Sequence, residues 1–200
     1  MKKISILHTG GTVASYYNDK EGGVSARYTA KDILNLYPEI KQIAKIDSRL
    51  IQNMWSHDTR FSHYNLLAKE AEKEVKNGAE GIIITHGTDF MHYTSSALAF
   101  ILENCPIPII LTGSQRSSDR GSSDAKLNLI CSSQFIANSN YQGVGICMHE
   151  STEDDACLIL HSTKTRKLHS SRRDAFKVVN GKPIARVTQQ GNVGFIGKHN

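Results

Sequence analysis

Short apolar runs with the composition of β-strands alternate along this sequence with longer stretches of helical periodicity. The strand-like runs are rich in β-branched residues and occupy Ile4–His8, Gly81–Thr85, Pro108–Thr112 and Gly143–Met148. Continuous apolar runs of this length are typical of strands buried on both faces. Helices between them supply the crossovers that parallel strands need. The pattern therefore predicts an α/β fold, an open and mostly parallel sheet with helices on both faces.

Helical signals lie between these runs. Thr29 and Asp32 form a capping-box-like pair at the start of one helix, and Pro38 ends it. Apolar residues recur at helical spacing in three further segments, which are His63–Asn77, Tyr93–Leu102 and Asp124–Ala137. The last twenty residues differ, because Gly181-Lys-Pro183 breaks the pattern before a short strand-like run at Ile184–Val187. We therefore expect one domain over residues 1–180 and a connector over 181–200 that leads toward a further domain.

Composition excludes several classes of protein. No apolar run reaches the ~18 residues that span a bilayer, and the basic start is followed by too few apolar residues for a signal peptide. The four cysteines form no C-x-x-C pair, which favours buried free thiols in a reducing, cytoplasmic compartment. The nine histidines show no H-E-x-x-H spacing, so we expect no metal and no cofactor. A net charge of +5 permits contact with nucleic acid, but we favour a solvated basic surface.

Two of the predicted strands end at glycine followed by threonine, in Thr9-Gly-Gly-Thr12 and in His86-Gly-Thr88-Asp89. Ligands of open parallel sheets bind beyond the carboxyl ends of the strands, so Thr12 and Thr88 are expected over one crevice. A threonine hydroxyl becomes a nucleophile only beside a proton acceptor. Both threonines fit helix capping as well. A phosphate loop at Thr12 is the weaker alternative, since the glycines match neither a dinucleotide fingerprint nor a Walker sequence.

Four motifs in this order resemble those of the bacterial-type L-asparaginase and glutaminase family. They are Leu7–Ser15, Ile84–Met91, Leu111–Asp124 and Lys164–Phe176. The last two are especially similar to the archaeal branch, which includes the D subunit of the tRNA-dependent amidotransferase. The resemblance covers nearly the whole chain. It implies the asparaginase N-terminal fold and hydrolysis of an amide by a threonine nucleophile, without a metal or cofactor.

The resemblance implies a catalytic role for five residues. By motif position Thr12 is the nucleophile, and Thr88, Asp89 and Lys164 form a second catalytic group. A tyrosine in the glycine-ended segment after the first strand assists the nucleophile, as part of a mobile lid. The candidates for this residue are Tyr16, Tyr17 and Tyr28, of which we choose Tyr17.

Substrate-binding residues follow from the same motifs. Ser56 matches the serine that binds the α-carboxylate of the substrate, and Ser114 is placed beside the substrate as well. His57 stands where the family has Gln or Glu, so recognition of the α-amino group is expected to depend on pH near neutrality. Backbone N–H groups at the turns of Gly11 and Gly87 are expected to stabilise the oxyanion.

Family members carry a smaller C-terminal α/β domain, and a neighbouring subunit's C-terminal domain helps to complete each active site. We therefore expect a split enzyme, in which a second polypeptide supplies that domain and a heteromer of dimers hydrolyses L-asparagine to L-aspartate and ammonia. The alternative is a glutaminase subunit that supplies ammonia for Gln-tRNA formation. That subunit carries an extra domain before the first motif, which favours the free hydrolase for this chain, and tRNA is a partner only under the alternative. A module that merely senses asparagine would not need Thr12, Thr88, Asp89 and Lys164.

The basic run Lys164–Arg173 has two interpretations besides its catalytic lysine. Its arginines either contact tRNA or a partner chain, or they anchor the loop by pairing with carboxylates. We favour the structural role. The acidic stretch His149–Asp155 is expected to be a polar loop near the crevice rather than a metal site.

Overall fold

The computed structural model of the protein describes residues 1–11, 13, 15–18, 23–26 and 30–197, with only the backbone described at 15–18, 23–26 and 30. The strands are β1 Lys3–Gly10, β2 Ser15–Asn18, β3 Gly23–Ala26, β4 Lys45–Met54, β5 Gly81–Thr85, β6 Pro108–Thr112, β7 Gly143–His149, β8 Ala156–His161, β9 Thr165–Lys167, β10 Phe176–Val178, β11 Ala185–Thr188 and β12 Val193–Phe195. The α-helices are α1 Ala30–Leu36, α2 Ile40–Ile43, α3 Phe61–Lys76, α4 Met91–Ile101 and α5 Ala125–Asn138. A 3-10 turn, Ser56–Asp58, follows β4.

One eight-stranded sheet has the order β12-β11-β8-β7-β6-β5-β1-β4. Strands β4, β1, β5, β6 and β7 run parallel, and β8, β11 and β12 continue the sheet in antiparallel pairs. The predicted open, mostly parallel α/β sheet is therefore confirmed. Two antiparallel hairpins, β2–β3 and β9–β10, lie outside the sheet. No helix among the described residues is both long and apolar enough to cross a membrane.

The central strands are buried on both faces, as their unbroken apolar runs predict. Ile4 and Ile6 of β1 belong to one hydrophobic cluster, which includes residues of α1, α2 and α5. Leu7, the next residue along β1, belongs to a second cluster together with residues of α3 and α4. Helices therefore cover both faces of the sheet, because successive side chains of a strand point to opposite sides.

The predicted connector at 181–200 contains two strands of the main sheet. β11 pairs with β8, and Ala185 and Val187 are fully buried in the first hydrophobic cluster. β12 then pairs with β11 at the edge of the sheet. The apolar alternation of this segment places it in the sheet of the main domain. The division of the chain into a domain and a connector remains a prediction.

Two histidines, His8 in β1 and His86 directly after β5, are buried at the end of the sheet where the glycine turns begin. His8 hydrogen-bonds through its two ring nitrogens to Thr85 and Ser48, each at 2.8 Å. His86 donates to its neighbour Gly87 O at 2.8 Å and pairs with Thr94 at 3.0 Å. Burial lowers the pKa of His8 and of His86 from 6.5 to about 4. Both rings are therefore neutral at pH 7.

We expect the folded protein to lose stability as the pH falls from about 6.5 toward about 4. The unfolded chain binds protons at His8 and His86 in this window and the folded chain does not, so acid favours unfolding. Between pH 7 and pH 5 the free energy of unfolding should fall by about 2 kcal/mol for each histidine. Urea unfolding at both pH values measures this.

His8→Asn, which keeps a neutral polar side chain at this position, is the comparison variant for that experiment. The difference in unfolding free energy between pH 7 and pH 5 should be smaller in this variant by about 2 kcal/mol, because one of the two titrating groups is gone. An identical pH dependence in His8→Asn and the wild type would show that His8 is not buried as a neutral ring.

Candidate active site

Two glycine turns and a serine are pressed together beyond the carboxyl ends of β1, β4 and β5. Gly11 has a φ of +74°, which favours glycine, and a methyl group there would lie 2.7 Å from Gly87 N. A methyl group at Gly87 would in turn lie 2.7 Å from Ser56 Cβ. Neither position has room for a side chain. The two strand ends that the sequence places over one crevice therefore meet in backbone contact.

Thr88, Asp89 and Lys167 form a hydrogen-bonded group beside these turns. Lys167 Nζ donates to Thr88 Oγ1 at 2.8 Å and to Asp89 Oδ1 at 2.7 Å. The Lys167 side chain is only 7% exposed, whereas that of Asp89 is 67% exposed. Thr88 is buried. The Lys167 ammonium is thus largely buried, and it bonds the buried Thr88 hydroxyl and the exposed Asp89 carboxylate.

The lysine that contacts Thr88 and Asp89 is Lys167, whereas the sequence motifs predict Lys164 for that place. Lys164 is exposed, and it ends the turn between β8 and β9, where its backbone N–H donates to His161 O at 3.2 Å. In β9 the side chains of Thr165 and Lys167 share one face, because they are two residues apart. Arg166 lies on the other face, with its guanidinium 5.1 Å from the centre of the Tyr93 ring. The lysine in contact with the group therefore lies three residues after the predicted one.

Gln115 is a site residue that no motif of the sequence singles out. Its Oε1 accepts the Thr88 hydroxyl at 3.1 Å. The backbone N–H of Gln115 donates to both oxygens of the Asp124 carboxylate at 3.0 Å, and Arg116 N donates to one of them at 3.1 Å. Asn128 Nδ2 ties the same carboxylate to Gly113 O. The loop after β6 is therefore fixed against Thr88 by a fully buried carboxylate.

Three buried polar atoms close to this group have no hydrogen-bond partner among the described residues. They are His92 Nδ1, Ser114 Oγ and Gln115 Nε2. Burial, and then the positive charges of Arg166 and Lys167, lower the pKa of His92. Buried polar atoms are seldom left unpaired in native proteins, and a cluster of them beside a reactive group is typical of a ligand site.

A cavity of about 280 Å³ opens on the Lys167 group. Its lining residues are Asp89, His92, Lys167, Leu168, His169 and Ser170. One of the three unpaired atoms, His92 Nδ1, therefore belongs to a residue of the cavity wall. The exposed carboxylate of Asp89 and the ammonium of Lys167 meet at its rim, so a small polar molecule has access to both charges.

Ser56 and His57 occupy the 3-10 turn after β4. Ser56 is buried against Gly87, and its Oγ accepts the backbone N–H of Phe90 at 3.4 Å. The His57 side chain is 60% exposed and stacks on Trp55 with a centroid separation of 6.4 Å. Ser56 thus lies at the turn of Thr88, while His57 points outward. Their roles toward a substrate remain predictions.

Several predicted residues lie outside the part of the chain that the structure describes. Thr12 and Tyr28 are not described, and for Tyr16 and Tyr17 the description covers only the backbone in β2. Val13, next to Thr12, is buried, and its carbonyl accepts the Ser118 hydroxyl at 2.8 Å. The first glycine turn is thereby tied to the loop after β6, which also holds Gln115.

The basic run pairs with carboxylates and carbonyls of the chain itself. Arg172 bonds Asp174 through two nitrogens, at 2.9 and 3.1 Å. Arg173 donates to Asp154 at 2.9 Å and to Ser122 O at 2.6 Å. These contacts agree with the anchoring role favoured for the arginines. The described residues contain no group of three or more His, Cys, Asp or Glu side chains arranged to hold a metal ion.

Comparisons with known proteins bear on the family and the fold of this chain. Residues 3–199 match the family model described as asparaginase, N-terminal. The D subunit of glutamyl-tRNA(Gln) amidotransferase from Methanococcus vannielii is 49% identical over 187 residues, which are 94% of this chain and 43% of that protein. The D subunit from Pyrococcus furiosus is 45% identical over 96% of this chain and 44% of that protein. The chain therefore spans less than half the length of these relatives.

Solved structures give the same result. The thermostable L-asparaginase from Thermococcus kodakarensis superposes with a TM-score of 0.85 and 34% identity, over 99% of this chain and 57% of that one. A probable cytoplasmic L-asparaginase from Campylobacter jejuni has a TM-score of 0.85 and 27% identity, over 98% of this chain and 57% of its own.

Proposed function

Because this chain belongs to the asparaginase family of amidohydrolases, we propose that it holds the catalytic group for hydrolysis of an amino acid's side-chain carboxamide. The observation that supports this most is the contact of one buried ammonium, Lys167, with both Thr88 and Asp89. A hydroxyl and a carboxylate joined by one proton donor are parts that acyl transfer can use.

In the proposed reaction the Thr12 oxygen forms a bond to the amide carbon, and the carbonyl electron pair moves onto its oxygen. The electron pair then returns to the carbonyl and the carbon–nitrogen bond breaks. The nitrogen leaves as ammonia with the proton that the Thr12 hydroxyl has lost, which passes through Thr88 and Lys167. Water hydrolyses the resulting ester and restores the Thr12 hydroxyl. Backbone N–H groups of the Gly11 and Gly87 turns are the proposed oxyanion donors, and Tyr17 is the proposed assistant of Thr12. Ser56 and His57 are proposed to hold the α-carboxylate and the α-amino group.

Two substrates fit this chemistry, and different observations support them. Identity of 45–49% to D subunits of glutamyl-tRNA(Gln) amidotransferase supports glutamine, with ammonia passed on for Gln-tRNA formation. Similarity to two L-asparaginase structures supports free asparagine. The higher identity to the D subunits makes the glutaminase function the better supported of the two, although the free hydrolase was favoured in the sequence analysis.

We further propose that a second polypeptide supplies the domain that completes the site, within a heteromer of dimers. The relatives named as D subunits of an amidotransferase support a heteromer, because a subunit works within a larger assembly. A cytoplasmic location is also part of the proposal. It is supported by Cys131, Cys147 and Cys157, which are buried free thiols of the kind that persist in reducing compartments.

Ammonia release from glutamine and from asparagine distinguishes the two substrates. The chain should be assayed alone, and then with the polypeptides that co-purify with it, each with and without tRNA. Release from glutamine that increases with tRNA would support the amidotransferase function. Ammonia release from asparagine at the same rate with and without tRNA would support the free hydrolase. Equal rates with and without the co-purifying polypeptides would contradict the split-enzyme proposal, and no release from either amide would contradict amide hydrolysis.

A further inference from the structure

Gln115 holds a carboxamide beside the proposed catalytic group with only one of its two ends paired. Its oxygen accepts the Thr88 hydroxyl at 3.1 Å. Its nitrogen, Nε2, is buried and has no hydrogen-bond partner among the described residues. An amide N–H₂ group that is removed from water without an acceptor costs free energy. The unpaired donor therefore indicates that an acceptor occupies this place in the working enzyme.

The orientation of this carboxamide follows from its neighbours. Lys167 donates to Thr88 Oγ1, so the one proton of the Thr88 hydroxyl is left to find an acceptor. Gln115 Oε1 is that acceptor. With the oxygen turned to Thr88, the nitrogen of Gln115 is necessarily the free end. The Lys167 ammonium thus sets which atom of Gln115 is offered to a ligand.

The backbone of Gln115 is held too firmly for the side chain to find another partner by loop movement. Its N–H is shared between the two oxygens of Asp124 at 3.0 Å, and Asp124 is fully buried. Asn128 in turn donates to Asp124 Oδ2 at 3.3 Å and to Gly113 O at 2.9 Å. A donor fixed in this way is preorganised, which is the property that stabilises charge in a transition state.

We propose that Gln115 is a catalytic residue whose Nε2 donates a hydrogen bond to the carbonyl oxygen of the substrate's scissile carboxamide. The inference rests on the proposed amide hydrolysis and extends it. As the nucleophile adds to the carbon, the carbonyl electron pair moves to the oxygen, and the Gln115 N–H stabilises that negative charge without transferring its proton. When the carbon–nitrogen bond breaks, the pair returns to the carbonyl and ammonia leaves.

Gln115→Met tests the proposal, because methionine keeps the length of the side chain and removes both polar atoms. With the protein and its co-purifying polypeptides, kcat should fall about 100-fold or more, the effect of losing one oxyanion donor. KM should change by less than about threefold, because the bond strengthens as charge develops on the oxygen. This large fall in kcat with little change in KM should be observed with whichever amide the wild type hydrolyses.

Gln115→Glu gives a second test, which is the pH dependence of kcat. This dependence would not change if Gln115 served only to pack the site. The carboxylate still accepts the Thr88 proton but has no donor, so activity at pH 8 should be low. Protonation returns an O–H donor, and the ratio of variant to wild-type kcat should rise as the pH falls from 8 to 5. The charged groups near this position are Asp124, which accepts the Gln115 backbone N–H, and the Lys167–Asp89 pair, which reaches it through Thr88. Gln42→Glu, the same change at an exposed residue of α2, should give a constant ratio near one.

The outcomes separate this inference from the function on which it rests. A Gln115→Met enzyme with kcat within about threefold of the wild type would overturn the inference, while inactivity of Lys167→Met would leave amide hydrolysis standing. A rise in KM alone, or a pH-independent ratio for Gln115→Glu, would also overturn it. A wild-type complex that releases ammonia from neither amide would overturn both. Thermal unfolding of each variant verifies that it is folded.

Discussion

Lys167→Met should lower kcat/KM for amide hydrolysis by about 10³–10⁴-fold, within the range expected for loss of a proton-transfer group. The substitution removes the ammonium that donates to Thr88 at 2.8 Å and to Asp89 at 2.7 Å. Methionine keeps most of the apolar stem that fills the buried path. Asp89 is 67% exposed and remains hydrated, so the fold should survive the change. Ammonia release measures the activity, and thermal unfolding measures the stability.

Lys164→Met is the matched control for that variant. Lys164 lies three residues earlier in the same basic run, and it is exposed. Its loss should change kcat/KM by less than about twofold, as for most surface substitutions. If Lys164→Met were inactive and Lys167→Met active, the motif assignment from the sequence would be right and the contacts of Lys167 would have no catalytic meaning.

Thr88→Val should have the second-largest effect, a loss of about 10²–10⁴-fold in kcat. Valine keeps the shape of the side chain and removes the hydroxyl that joins Lys167 to Gln115 Oε1. The Lys167 ammonium would keep only its bond to Asp89, so a proton could no longer pass through this position. Thr12→Ala should cause a loss of similar size if Thr12 is the nucleophile. Initial rates at saturating substrate measure both.

Thr152→Val makes the same chemical change at an exposed threonine and should leave kcat within about twofold of the wild type. Near-native kcat in both Thr88→Val and Thr12→Ala, measured in the assembled complex, would mean that the threonine mechanism is wrong. If kcat falls only in Thr12→Ala, then Thr12 takes part in the reaction and Thr88 does not.

The meeting of the two glycine turns is the part of the site that the sequence predicts best. Parallel strands β1 and β5 are neighbours, so the residues that follow them emerge at the same edge of the sheet. The glycines themselves are the signal, because only a residue without a side chain permits the contact between Gly11 and Gly87. The glycines determine the shape of each turn, and the pairing of β1 with β5 brings the two turns together.

The choice between Lys164 and Lys167 was beyond the sequence for a physical reason. Both residues are lysines within one short basic motif, and motif position alone does not show which one faces inward. The pairing of β9 with β10 sets that direction, because it places Thr165 and Lys167 on one face. Gln115 lies within the motif Leu111–Asp124, but the motif does not distinguish it from its neighbours. It reads as an ordinary loop residue until Asp124, nine positions later, is seen to bind its backbone.

Strand β4 escaped prediction for a different reason. It lies at the edge of the sheet, pairs only with β1 in the described part of the chain, and has no fully buried residue. Its sequence therefore lacks the continuous apolar run by which the central strands are recognised. Backbone hydrogen bonds to β1 hold it in place, and these leave little trace in the side chains.

A double-mutant cycle on Thr88 and Lys167 tests most directly whether the two side chains act as one catalytic unit. The kcat/KM for ammonia release would be measured for the wild type, Thr88→Val, Lys167→Met and the double variant. Residues that act together are not additive, so the double variant should be no more than about threefold slower than the worse single variant. Losses that multiply across the two substitutions would show that Thr88 and Lys167 act independently, and would contradict their assignment to one proton-transfer group.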